Sequence, residues 1–116
     1  MMSYDLNFWN EPAGFKAAPV DVYRSLSEGV PFDGLSQIDV TGFYKRIIQE
    51  FPGTEEANGV LNWEGEENSF QASSSAQHVR IDCYGQPGEW MNVFIDIGKE
   101  FGCRLYDPQT NERFTG

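Results

Sequence analysis

The chain is poor in the residues that build metal, thiol or polyanion-binding sites. It holds one histidine, His78, and two cysteines, Cys83 and Cys103, in 116 residues. A lone imidazole excludes a multi-histidine metal site. Two thiols in a chain of this length make no disulfide framework, which points to a reducing, cytoplasmic setting. Cations are scarce: 8 lysines and arginines face 18 aspartates and glutamates, for a net charge of -10. Nucleic acids and anionic membrane surfaces both recruit cationic side chains, so neither is an expected partner. No stretch approaches the ~20 apolar residues of a membrane span. The opening Met1-Met2-Ser3-Tyr4-Asp5 lacks the basic and apolar regions of a signal peptide. Phosphate-cradling glycine motifs are missing, and Glu64, Glu66 and Glu67 lack the alternating ligands and central glycine of a calcium loop. The sequence therefore leads us to expect no cofactor, no metal and no catalytic residue.

What remains suffices for one α+β domain over residues 1–116. Apolar residues make up 40% and aromatic residues 15%, and each ring brings a large area to a core. A domain of this size buries about two-thirds of the surface its unfolded chain exposes. No internal repeat is present.

Tyr4-Asp5-Leu6-Asn7-Phe8-Trp9 alternates until its end and predicts a strand with Tyr4, Leu6 and Phe8 on one face. A short helix is expected from Asp21 to Glu28, with Val22 and Leu26 inward and Gly29 just beyond its end. The clearest helix follows an Asp39 cap, with Val40, Phe43, Tyr44, Ile47, Ile48 and Phe51 at helical spacing, and Pro52-Gly53 ends it. Gly42 in its first turn costs about 1 kcal/mol relative to alanine, and the sequence offers no reason for it. Residues 54–68 read as a long, partly ordered loop with a short strand through Leu61 to Glu64. A hairpin is expected over 69–75 and 77–84. A helix from Glu89 to Phe101, a strand Cys103–Tyr106, a polar turn from Asp107 to Asn111 and a last pairing through Arg113-Phe114 complete the chain. This order matches the split βαβ, or ferredoxin-like, arrangement, with helices on one face of an antiparallel sheet.

His78 and Cys83 are five residues apart on one predicted strand, and an odd separation puts them on opposite faces. No dyad forms between them, and both cysteines read as small buried hydrophobes. His78, Arg80, Asp82 and Tyr84 are expected on the far side of the sheet, where cross-strand ion pairs are the ordinary explanation. No carboxylate pair is marked by an apolar setting. The most distinctive charge pattern lies between Ile47 and Val79, with Glu50, Glu55, Glu56, Glu64, Glu66 and Glu67 and no lysine or arginine. Trp63 sits inside it. It is either an interface anchor ringed by charge or a core residue under a solvated loop.

Tyr4-Asp5-Leu6-Asn7-Phe8-Trp9, Asp82-Cys83-Tyr84-Gly85 and Phe101-Gly102-Cys103-Arg104-Leu105-Tyr106-Asp107-Pro108-Gln109-Thr110 resemble segments of small bacterial proteins. Some of those are similar to immunity proteins of polymorphic or contact-dependent toxin systems. The resemblance implies a shared fold and carries no functional residue, since its segments are strand ends and turns. Together these readings lead us to expect a non-enzymatic cytosolic immunity or inhibitor protein. Such a protein would neutralise a basic toxin, for instance a nuclease, by covering its active surface through Glu55, Glu56, Trp63, Glu64, Glu66 and Glu67. The alternative expectation is a small module that self-associates through an edge strand, as a homo-oligomer. An enzyme working through carboxylates ranks third.

Overall fold

The computed structural model describes residues 3–85, 88–108 and 112–113. In chain order these form β1 (Ser3–Trp9), α1 (Pro19–Ser27), α2 (Val40–Glu50), β2 (Glu55–Ala57), β3 (Val60–Glu64), β4 (Asn68–Ser75), β5 (His78–Gly85), a 3-10 turn (Glu89–Met91), α3 (Asn92–Glu100), β6 (Arg104–Asp107) and β7 (Glu112–Arg113). The strands make one sheet in the order β2-β3-β4-β5-β1-β6-β7, antiparallel throughout. The α+β class with an antiparallel sheet is thus as the sequence predicts. The seven-strand order is not that of a four-strand split βαβ sheet.

β1 lies inside the sheet because both of its faces are apolar at its C-terminal end. Leu6 and Phe8 face one side, and Trp9 faces the other, all three buried. On the first side, Phe43, Tyr44 and Ile47 of α2 and Phe94 and Ile97 of α3 pack over Leu61, Phe70, Ala72, Val79, Ile81, Cys83 and Leu105. Trp9 heads a second cluster with Tyr106, Leu35 and the Val22 and Leu26 stripe of α1. Here the expectation of helices on one face fails. The inward stripe of α1 was legible, but it covers the opposite face, because Trp9 and Tyr106 place large apolar area there.

Asp39 caps α2 by accepting from the Gly42 backbone N–H at 3.1 Å. The structure also explains Gly42. A Cβ there would lie 2.9 Å from the Phe101 ring and 2.5 Å from Asp39 Oδ2, so a larger residue would have to push the ring and the capping carboxylate aside. The helix expected from Glu89 to Phe101 is instead the 3-10 turn followed by α3.

Within residues 54–68 the short strand expected through Leu61 to Glu64 is present as β3, and β2 pairs with it in a hairpin where a loop was expected. Ala57 pairs with Val60 across Asn58 and Gly59, whose φ values of 54° and 79° suit a mirror-image two-residue turn. The hydroxyl of Tyr44 donates to the Gly59 carbonyl at 2.7 Å and fastens this turn to α2. Phe114 and residues 109–111 of the expected C-terminal turn lie outside the described residues.

Candidate functional site

α1 covers only one end of the second face, and among the described residues no element packs over the rest, whose side chains are exposed or half-buried. Antiparallel partners share a face, so the register assigns its residues directly. Glu55, Asn62, Gln71, Asp82 and Asp5 form one row across β2, β3, β4, β5 and β1. Glu64, Ser69 and Tyr84 form the next. A shallow concavity of about 540 Å³ is lined here by Glu55, Asn62, Glu64, Ser69, Gln71 and Tyr84, among others. A smaller one of about 160 Å³ adjoins it, with Glu64, Glu66, Glu67 and Tyr84 in its wall.

The row ends in a charge cluster. Arg80 donates from Nη2 to Asp5 Oδ2 at 3.0 Å and from Nε to Asp82 Oδ1 at 2.9 Å. Asp5 and Asp82 stand directly opposite one another, an arrangement that repels when both are ionised. Partial burial, then a hydrogen bond with Asp82, push the Asp5 carboxyl up to about 6, against the opposing pull of Arg80. Neither aspartate lines the concavity beside Tyr84.

His78 is not on open sheet. It is buried, with its Nε2 2.8 Å from Asn7 Oδ1 and its ring beside Trp9. Burial, with Arg80 adding a smaller repulsion, pushes the imidazole down to about 4. It is neutral near neutral pH. Cys83 faces the α2 and α3 core, where burial and the nearby Asp82 and Asp5 push its thiol up to about 12. That suppresses the thiolate needed for reactivity. Cys103 is buried in the same core, with its thiol donating to the Phe101 carbonyl at 3.6 Å. Among the described residues no group of three or more His, Cys, Asp or Glu side chains is placed to hold a metal ion. No helix among them is long and apolar enough to cross a membrane.

The six residues singled out from sequence do not form one patch. Glu55 and Glu64 lie on the uncovered face, and Glu66 and Glu67 follow β3 in the connection to β4 at its rim. Glu56 points to the opposite side, sharing a face with Leu61 and lying close to Tyr44. Trp63 also turns inward. Its ring centroid is 5.1 Å from Phe51, 5.6 Å from Phe70 and 6.3 Å from Trp90. The ring is half-buried at the edge of the core, and part of it also lines the concavity beside Glu55 and Glu64. Sequence reasoning missed the Asp5–Asp82 pair. Alternation placed each carboxylate opposite its apolar neighbours, but only the strand register brings them together.

No protein-family model matches the chain, and no curated protein sequence matches it either.

Proposed function

We propose that this protein is a cytosolic binding protein of the toxin-immunity kind. It neutralises a basic protein, for instance a nuclease, by covering its active surface, and it performs no chemistry of its own. One observation carries the reading. From β2 to β1 the uncovered face presents Glu55, Glu64, Asp82 and Asp5, and Arg80, the one cation among the described residues of these strands, is already held by two of them. A surface of this kind steers a cationic partner and rejects anionic ones. Tyr84 and the amides of Asn62 and Gln71 add contacts that suit arginine side chains. In the same reading the four strands β4-β5-β1-β6 are a split βαβ core. The β2–β3 hairpin extends its acidic side, and α1 closes the other end.

Self-association through β2 is the weaker reading. Two copies pairing at this edge would bring Glu55 and Glu56 of one against those of the other, and like charges in register are unfavourable.

The experiment is affinity capture from the native cell, followed by association kinetics with the recovered partner. A Glu55→Lys/Glu64→Lys variant should fold normally and associate at least tenfold more slowly, with a weaker salt dependence. A variant that binds like the parent at every ionic strength refutes the reading.

A further inference from the structure

The uncovered face carries an element whose charge is set by pH. We propose that Asp5 keeps a proton that it donates to the Asp82 carboxylate beneath Arg80, and that its loss between mildly acidic and neutral pH adds one negative charge to this face. The consequence for binding rests on the proposed function; the proton itself does not.

The geometry supports this independently of any partner. Asp5 and Asp82 are cross-strand neighbours on adjacent central strands, where the backbone fixes their separation. Neither can swing fully into water, since their side chains are only 29% and 19% exposed. Arg80 contacts one oxygen of each, so it neutralises one carboxylate's worth of charge and leaves a second to be accommodated. A proton between the two accommodates it. Among the described residues, the other groups around the cluster do not replace that proton. Asp107 near the end of β1's other neighbour, β6, adds repulsion and favours the protonated form. Tyr23 of α1 acts on Arg80, and β4 offers the neutral Gln71 opposite Asp82. His78, two residues before Arg80, is neutral over this range. The raised titration of Asp5, to about 6, agrees with the arrangement.

The proton is lost to water as pH rises, and no bond other than O–H changes. At mildly acidic pH, the face holds one aspartate charge balanced by Arg80. At neutral pH it holds two and attracts a cation more strongly. One unit charge at contact distance in a solvated setting corresponds to about a fivefold change in affinity.

Carbon-detected NMR of the side-chain carboxyl groups, from pH 3 to 8, tests this on the whole chain without a partner. The Asp5 Cγ resonance should titrate near pH 6, and Asp82 Cγ should report the same event. In Asp82→Asn the Asp5 midpoint should fall by a unit or more. In wild type, an Asp5 midpoint in the ordinary carboxylate range overturns the proposal, whatever the variant does. Binding is then measured with a hexa-arginine peptide at pH 5 and pH 7. Affinity about fivefold tighter at pH 7 in wild type, but changed by less than twofold in Asp5→Asn, supports the consequence. Equal pH dependence in both proteins overturns it. A peptide that binds at neither pH, with the Asp5 titration intact, counts against the proposed function and leaves the proton assignment supported.

Discussion

Acidification from pH 7 to pH 4.5 should destabilise the fold through one side chain, His78. The imidazole is buried against Asn7 and pushed down to about 4 from an ordinary 6.5. The unfolded chain therefore binds a proton more readily than the folded one. The stability associated with the neutral ring is complete above pH 6.5 and is lost as pH falls from 6.5 toward 4. At pH 4.5 the unfolded histidine is almost fully protonated while the folded one is mostly neutral, which amounts to about 2.5 kcal/mol. That is a large share of the ~5–15 kcal/mol by which a domain is stable. Asp5 works in the opposite sense. Its pKa is raised to about 6, so its contribution is present below its ordinary 3.8 and is lost as pH rises through 6. Solvent screening of this partly exposed group keeps it the smaller of the two. His78→Gln keeps a donor toward Asn7 and removes the titration, which separates the effects. Urea unfolding at pH 7 and pH 4.5 should show wild type losing about 2.5 kcal/mol more than the variant. As the chain has one histidine, its ring signal in the NMR spectrum is unambiguous. A ring titrating near 6.5, or equal pH dependence in the two proteins, refutes the reasoning.

Three substitutions test the packing. Trp63→Ala should cost about 3 kcal/mol of folding stability, because the ring packs on Phe51, Phe70 and Trp90; a denaturant midpoint close to wild type would mean that the ring is not in the core. Gly98→Ala should lower the melting temperature despite alanine's better helix propensity, since the added Cβ would lie 2.8 Å from the Phe8 ring, a clash worth about 1–3 kcal/mol. Tyr44→Phe removes the bond to the Gly59 carbonyl and should cost about 1 kcal/mol, with amide exchange speeding up in the β2–β3 hairpin before the rest of the sheet.

The helices and central strands were legible because their apolar spacing is regular and their ends carry strong signals, such as Asp39 before α2 and Pro52-Gly53 after it. Of the β2–β3 hairpin only β3 was expected; its pairing with β2 was missed although Asn58-Gly59, a strong hairpin turn signal, stands between them. The glutamates around it suggested a solvated loop, and β2 is too short to show alternation. The side taken by α1 was also hidden. Val22 and Leu26 show that the helix buries a stripe, and only Trp9 following Phe8 hints that a second face needs cover. As for the site, the charge excess, Glu55 and Glu64, and the sheet side of Arg80, Asp82 and Tyr84 were all readable from the sequence. It could not join Asp5 to Asp82, 77 positions away, because strand register is set by tertiary pairing. The side taken by the Trp63 ring was hidden for a related reason: charge on its sequence neighbours says nothing about the face on which an alternating strand presents it.

The most direct test of the binding role is an amide NMR footprint of the isotope-labelled chain titrated with its captured basic partner. Perturbations should concentrate on Glu55, Asn62, Glu64, Gln71, Asp82 and Tyr84, leaving the exposed side of α2 around Lys45 and Ile48 unchanged. A footprint centred on α2 and α3, with the uncovered sheet face silent, would contradict the account.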